Sequence, residues 1–186
     1  MRVINLIVVH CSATKADRDF TEQDLEVCHR RRGMNGPGYH FYIRKNGDIK
    51  TTRPIEKIGV HARGHNAQSI GICYEGGISE RGRLADTRTV WQKHSLRVLV
   101  RALLVDYPGC KVCGHRDLSP DLNGNGEIEP EEWDETNALS CSYHYNSVKF
   151  CLVLWYISTS NILKDSCISV VSTDGCYGAC AIRATW

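Results

Sequence analysis

Three histidines stand where strands of a folded chain could bring them together. His10 ends an apolar run that starts at Leu6, His115 follows "CKVCG", and His61 lies in "GVHARGHN", just before the apolar stretch "SIGICY". The ends of strands in a covered sheet, and the loops after them, collect functional groups. Two or three imidazoles at one rim of a sheet suit a zinc site. A lone histidine in such a run is more often a hydrogen-bonded, partly buried side chain, so the pattern alone leaves both interpretations open.

The elements that must position these histidines alternate between strand and helix. Residues 3–10 are apolar on both faces, which indicates a central strand. "TEQDLEVCHRRRG" predicts a helix, with Thr21 as its N-cap and Gly33 as its end. "YHFYIRKNGDIKTTR" predicts a β-hairpin with Asn46-Gly47 as a two-residue turn.

The second half of this alternation holds the longest helix. "SIGICYEGG" predicts a second buried strand, and "CKVCG" a short third one that runs into a loop. Between them, Thr89 and Gln92 have capping-box spacing, and Pro108-Gly109 ends the helix that follows. The fold class is therefore α/β, with a central mixed β-sheet flanked by helices.

The composition is that of an ordinary globular protein. The chain has 186 residues, 42% apolar and 24% charged, and a net charge of +2. That charge is too small to indicate a nucleic-acid partner. No stretch is long enough for a membrane span, and no secretory signal is visible. We expect a monomer made in the cytoplasm, with most of its ten cysteines as free thiols.

One loop has the spacing of a calcium-binding loop. "DLNGNGEIEPEE", residues 121–132, fits the pattern D-x-[DN]-x-[DN]-G-x₅-E. The predicted oxygen ligands are Asp121, Asn123, Asn125, the Glu127 carbonyl and Glu132. No helix enters this loop, because Ser119-Pro120 precedes it, and a polar surface turn without metal is the alternative.

Four ordered segments resemble those of N-acetylmuramoyl-L-alanine amidases. They are "IVVHCSAT", "GYHFYIRKNGDI", "HARGHNAQSIGICYEGG" and "GHRDLSP". The chain is similar to the phage lysozyme type, which shares its fold with peptidoglycan recognition proteins, over about residues 3–135. The resemblance implies a zinc-dependent amidase whose partner is peptidoglycan. It would cleave the amide bond between the lactyl group of N-acetylmuramic acid and L-alanine.

The resemblance also assigns site residues. His10 and His115 match the two histidine ligands of zinc, Tyr39 matches a tyrosine near the metal, and His61 matches a histidine at the cleft edge. Zinc polarises a carbonyl and acidifies water, and a tyrosine hydroxyl can donate to a developing oxyanion. We expect His40 and His65 to be structural or surface residues.

The chain departs from the family after Trp133. The family has Lys-x-Cys-Pro, whose cysteine is the third zinc ligand and whose lysine assists catalysis, but here "DETNALSCSYHYN" follows. Cys141 is the nearest thiol and is the predicted third ligand; Asp134 and His144 are chemically acceptable substitutes. The alternative function is a catalytically impaired peptidoglycan-binding protein with an incomplete zinc site.

The composition changes near residue 140. Half of the cysteines lie beyond residue 136, and charged residues become sparse from Ser147 onward. We therefore predict an amidase domain at 1–140 and an atypical cysteine-rich tail at 141–186, either disordered or the product of a slipped reading frame. A genuine metal- or wall-binding extension is the alternative. The enzyme would reach the cell wall through holin-type release or lysis.

Overall fold

The computed structural model describes residues 2–133, and they form a mixed sheet with two helices. The strands are β1 (Leu6–Cys11), β2 (Thr14–Lys15), β3 (Phe41–Ile43), β4 (Ile49–Thr51), β5 (Ser69–Tyr74), β6 (Gly77–Ile78) and β7 (Lys111–Gly114). The helices are α1 (Glu22–Arg31) and α2 (Val90–Asp106). The predicted α/β class with a mixed sheet is confirmed.

The main sheet has the order β4-β3-β5-β1-β7. Strands β3, β5, β1 and β7 run parallel, and β4 pairs antiparallel with β3 at the edge. Every residue of β1 and β5 is buried, as their unbroken apolar sequences predict. Strand β1 begins at Leu6 rather than residue 3, and Val3 is 77% exposed. The short strands β2 and β6 pair separately.

Both helices begin with a reciprocal cap, where the sequence predicts Thr21 as the N-cap of α1 and Thr89 with Gln92 as the capping box of α2. The Thr21 side chain accepts the Asp24 N–H while the Asp24 carboxylate accepts the Thr21 N–H, and Thr89 and Gln92 form the same pair at α2. Such caps satisfy N–H groups that have no partner within the helix. The Gln92 amide also donates to the carbonyls of Ile43 and Glu75, which ties the start of α2 to the ends of β3 and β5.

The hairpin between β3 and β4 corrects the predicted two-residue turn. The Arg44 N–H donates to the Asp48 carbonyl, and the Gly47 N–H donates to the Arg44 carbonyl. Three residues therefore separate this Arg44–Asp48 pair. Gly47 has a φ of +91°, the conformation that a three-residue hairpin loop requires at its last position. The Asn46 side-chain oxygen accepts the Asp48 N–H, and Asn46 does not form a two-residue turn with Gly47.

Candidate active site

Parallel pairing of β1 with β7 brings His10 and His115 side by side. The register pairs Val9 with Gly114, and the residue that follows each of them in the chain is a histidine. The centroids of the two rings lie 4.6 Å apart. His10 is 1% exposed, while His115 begins a short 3₁₀ helix, His115–Leu118, directly after β7. The two histidines assigned by resemblance are thus neighbours on one side of the sheet.

His61 reaches the same place from a loop. Its Nδ1 atom lies 3.1 Å from Nε2 of His10, and its Nε2 lies 3.3 Å from the Ser69 hydroxyl oxygen. The Asn66 side-chain oxygen accepts the N–H of His61 and holds this loop. The ring covers Gly71 of β5, where an added Cβ would lie 2.5 Å from the imidazole. A side chain at residue 71 would therefore displace His61.

Tyr39 completes the cluster just before β3. Its ring centroid lies 4.9 Å from that of His10 and 6.2 Å from that of His61. The Thr52 hydroxyl donates to the Tyr39 carbonyl at 2.8 Å and positions this stretch of backbone. The structure therefore brings together four of the residues that the sequence singled out, His10, Tyr39, His61 and His115.

Burial keeps His10, Tyr39 and His61 uncharged. It lowers the pKa of His10 well below its usual value, with smaller contributions from His61 and His115. Burial likewise lowers the pKa of His61 to about 3 and raises the pKa of the Tyr39 phenol well above its ordinary value. Neutral imidazoles can accept a proton or bind a metal ion, and a protonated phenol can donate a hydrogen bond.

The donor types fit zinc. Imidazole nitrogen is an ordinary zinc ligand, and His10 and His115 present two imidazole rings whose centroids lie 4.6 Å apart. Within residues 2–133, no group of three or more His, Cys, Asp or Glu side chains is arranged to hold a metal ion. The predicted third ligand, Cys141, and its alternatives Asp134 and His144 lie outside the described residues.

A cleft of about 420 Å³ adjoins the cluster. It is lined by His29, Arg32, Met34, Tyr39, Val60, His61, Ala62, Arg63, Gly64 and Asn66. No acidic side chain is among these residues, and two are arginines. A substrate group that enters the cleft therefore meets apolar and cationic surface directly beside Tyr39 and His61.

Two residues of this region were missed by sequence reasoning. His29 is buried on α1 and accepts the Gly38 N–H at 3.0 Å through Nδ1, and its ring centroid lies 5.5 Å from that of Tyr39. Its spacing of four from buried Leu25 placed it on the inner face of the helix, which was the available signal. Gly71 carried no local signal, because its role depends on a ring ten residues away.

The other histidines and the thiols have structural surroundings. His40 accepts the Gly71 N–H through Nδ1, and its Nε2 lies 3.0 Å from the Lys57 carbonyl, so it supports the sheet as expected. His65 is half-buried and caps a short 3₁₀ helix without a side-chain hydrogen bond. Among residues 2–133 no disulfide joins the cysteines, which are Cys11, Cys28, Cys73, Cys110 and Cys113.

The residues after His115 form a compact turn. Asp117 accepts the Gly114 N–H at 2.7 Å and forms an ion pair with the Arg116 guanidinium at 3.6 Å. The Arg116 guanidinium also lies 4.6 Å from the ring centroid of Trp133. These contacts hold His115 at the end of β7 and connect this turn with Trp133.

The predicted calcium loop is folded around two carboxylates. Asp121 accepts the N–H groups of Gly124 and Gly126. Glu132, which is 7% exposed, accepts those of Leu122, Asn123 and Glu129. The side-chain oxygens of Asn123 and Asn125 each accept the N–H two residues further along.

Known proteins with similar sequences and structures show the family of this chain. The family profile described as N-acetylmuramoyl-L-alanine amidase matches residues 1–132. The endolysin of Klebsiella phage KP32 is 36% identical over 138 residues, which is 74% of this chain and 90% of that protein. The solved structure of N-acetylmuramoyl-L-alanine amidase LysC from Clostridium intestinale URNW has a TM-score of 0.59 and 31% identity, over 81% of this chain and 85% of that one.

A more distant likeness supports the fold alone. Drosophila PGRP-LB has a TM-score of 0.54 and 22% identity, over 75% of this chain and 79% of its own. The expected peptidoglycan recognition protein-like fold is thereby confirmed.

No helix within residues 2–133 is long and apolar enough to cross a bilayer.

Proposed function

This chain belongs to the N-acetylmuramoyl-L-alanine amidase family, and on that premise we propose that it hydrolyses the amide bond between the lactyl group of N-acetylmuramic acid and L-alanine in peptidoglycan. The observation that carries the proposal is the cluster of His10, Tyr39, His61 and His115 beside an open cleft. The family match supports the class of reaction, and the cluster supplies residue types that can perform it.

We propose that His10 and His115 hold a zinc ion, with Cys141 as the third ligand. Two adjacent imidazoles, at least one of them kept neutral by burial, support this assignment. A zinc ion bound there would supply Lewis-acid polarisation of the scissile carbonyl and would acidify a water molecule.

Tyr39 and His61 supply the remaining chemistry in this proposal. The Tyr39 phenol stays protonated, so its hydroxyl can donate to the carbonyl oxygen as negative charge develops there. Such a donor is worth about 3 kcal/mol of barrier when it is well aimed. His61 stays neutral between His10 and Ser69, so it can orient the His10 ring or accept a proton at its own ring.

A catalytically impaired peptidoglycan-binding protein is the second candidate. The specific observation in its favour is the sequence after Trp133, which lacks the Lys-x-Cys-Pro of the family. Such a protein would keep the cleft and its arginines but would lack a complete zinc site.

The first experiment measures zinc per chain and hydrolysis of purified peptidoglycan together. We expect about one zinc per chain, release of peptides with a new L-alanine N-terminus, and loss of both in His10→Ala. His94→Ala, on the exposed side of α2, is the matched control and should keep both. Binding to peptidoglycan without zinc or hydrolysis would instead support the impaired protein. A Cys141→Ala variant that keeps its zinc would reject Cys141 as the third ligand.

We further propose that loop 121–132 binds calcium. Its predicted ligand residues Asp121, Asn123, Asn125 and Glu132 already turn their side-chain oxygens toward the loop backbone. A calcium ion in this loop would steady the segment between His115 and the predicted third ligand, and the cofactors of the protein would then be zinc and calcium.

The domain assignment also stays a proposal. We propose an amidase domain at 1–140 and a separate tail at 141–186, with synthesis in the cytoplasm and action on the cell wall after release. The family match ends at residue 132, close to the point where the composition changes. Resequencing the gene tests the slipped reading frame, since a clean read that encodes residues 133–141 as printed would reject it.

A further inference from the structure

The outer face of α2 carries an apolar stripe. Trp91 is 63% exposed, Val98 47% and Val105 77%. These residues are seven positions apart, so a helix of 3.6 residues per turn places them on one side. At 1.5 Å per residue the stripe is roughly 21 Å long. We call these three residues the α2 stripe.

The α2 stripe is not part of the core. The helix buries a different set of residues on its inner face, namely Gln92, Leu96, Leu99, Val100 and Leu103. None of the residues that line the cleft beside Tyr39 belongs to α2. The exposed apolar area therefore serves neither the packing of the helix nor the candidate active site.

A basic row runs beside the stripe. Lys93, Arg97 and Arg101 are spaced four apart, and the helical repeat places this row next to the stripe, with Lys93 and Arg97 exposed and Arg101 half-buried. The Lys93 ammonium lies 3.5 Å from the carboxylate of Asp86, a residue that precedes the helix. Asp106 is the one acidic residue within α2. The solvent side of the helix thus combines apolar and cationic surface.

We propose that this face of α2 docks on the surface of an anionic phospholipid bilayer. Exposed apolar side chains on one face of a helix can enter the boundary between headgroups and acyl chains. The adjacent cations then meet lipid phosphates. Tryptophan suits that boundary because its ring is amphipathic. The contact is peripheral, in keeping with the finding that no described helix can span a bilayer.

Charge argues against a second copy of the chain as the occupant. Two α2 helices packed along their stripes would bring their basic rows close together, with Asp106 as the single acid on each helix. Like charges facing each other weaken such an interface. An anionic surface provides the complementary charge.

Vesicle co-sedimentation of the full chain tests the proposal. We expect binding to vesicles of equal parts phosphatidylglycerol and phosphatidylcholine, at least tenfold weaker binding to pure phosphatidylcholine, and weaker binding at high salt. The double variant Val98→Ser/Val105→Ser should weaken binding by at least tenfold. Val3→Ser/Val27→Ser is the matched control, since those valines are 77% and 49% exposed and lie outside α2. Equal binding by both double variants would overturn the proposal.

A charge reversal tests whether vesicle binding depends on the basic row of α2 or only on the net charge of the protein. Arg97→Glu should weaken binding several-fold more than Arg81→Glu, which makes the same change at an exposed arginine outside α2. Equal losses would mean non-specific attraction and would overturn the proposal. So would a dimer in sedimentation velocity that Val98→Ser/Val105→Ser dissociates, because a second copy would then occupy the stripe. The α2 variants leave the residues proposed for catalysis unchanged. A loss of vesicle binding can therefore be distinguished from a loss of amidase activity.

Discussion

The Nε2 atom of His10 lies 3.1 Å from the Nδ1 atom of His61, although the two residues are 51 positions apart in sequence. This contact joins a buried strand to a surface loop and sets the ring of His61 against Gly71. The arrangement depends on the missing side chain at residue 71, where a Cβ would lie 2.5 Å from the imidazole.

Gly71→Ala should therefore disturb the site through His61. We expect the free energy of unfolding to fall by about 1 to 3 kcal/mol, since the new methyl group overpacks the site. We also expect kcat/KM on peptidoglycan to fall by roughly tenfold or more, because a displacement of about 1 Å is costly in an active site. Denaturant unfolding and steady-state kinetics measure the two effects.

A double-mutant cycle gives the control. In a His61→Ala background the added methyl group has room, so Gly71→Ala should cost little further stability. An equal cost with and without the His61 ring would show that Gly71 is required for another reason.

Tyr39→Phe tests the hydroxyl proposed to donate to the oxyanion. The change keeps the aromatic ring beside His10 and removes one donor, so kcat should fall roughly 10²- to 10³-fold with little change in KM. Tyr107→Phe, at the C-terminal end of α2, is the matched control and should leave kcat unchanged. A Tyr39→Phe enzyme with normal kcat would remove Tyr39 from the chemistry.

The surroundings of His40 predict a loss of stability in mild acid. Burial lowers its pKa from 6.5 to about 4, and its Nδ1 must stay unprotonated to accept the Gly71 N–H. The unfolded chain therefore binds a proton that the folded chain does not, between these two values. His40 makes its full contribution to the free energy of unfolding above pH 6.5. That contribution falls by on the order of 2 kcal/mol as the pH drops toward 4.

Urea unfolding between pH 7 and 3 measures this loss. His40→Gln should reduce the dependence of stability on pH between 6.5 and 4. Asp86→Asn is the control: burial raises the pKa of Asp86, but hydrogen bonds from Arg88 outweigh burial and lower it to about 2. The Asp86 contribution is present above pH 3.8 and is lost as the pH falls toward 2. An unchanged slope between pH 6.5 and 4 in His40→Gln would contradict the prediction.

Calcium should raise the Tm if loop 121–132 binds it. We expect an increase of several degrees at millimolar calcium, because an ion that binds the folded state alone stabilises it. Asp121→Ala and Glu132→Gln should abolish the increase. Glu127→Gln should keep it, since Glu127 is predicted to offer only its main-chain carbonyl. The same increase with magnesium, or in Glu132→Gln, would count against a calcium loop.

The ends of the helices could be predicted from sequence because their signals are local. Thr21 is the N-cap of α1 as predicted, and Thr89 and Gln92, three residues apart, form the capping box that their spacing predicts. The predicted length of the turn after β3 was wrong by one residue, because Asn-Gly suits both two-residue and three-residue loops. The hydrogen bond between Arg44 and Asp48, which decided between them, depends on pairing along the whole hairpin.

The sequence by itself determined the α/β class, the family, and the residue types of the site, since ordered motifs and apolar runs can be seen without coordinates. Only the tertiary structure decided which side chains meet. Parallel pairing of β1 with β7 placed His10 beside His115, and the bare surface at Gly71 gave His61 its position. Burial, which keeps His10 and His61 neutral and Tyr39 protonated, likewise arises only when distant segments pack and exclude water.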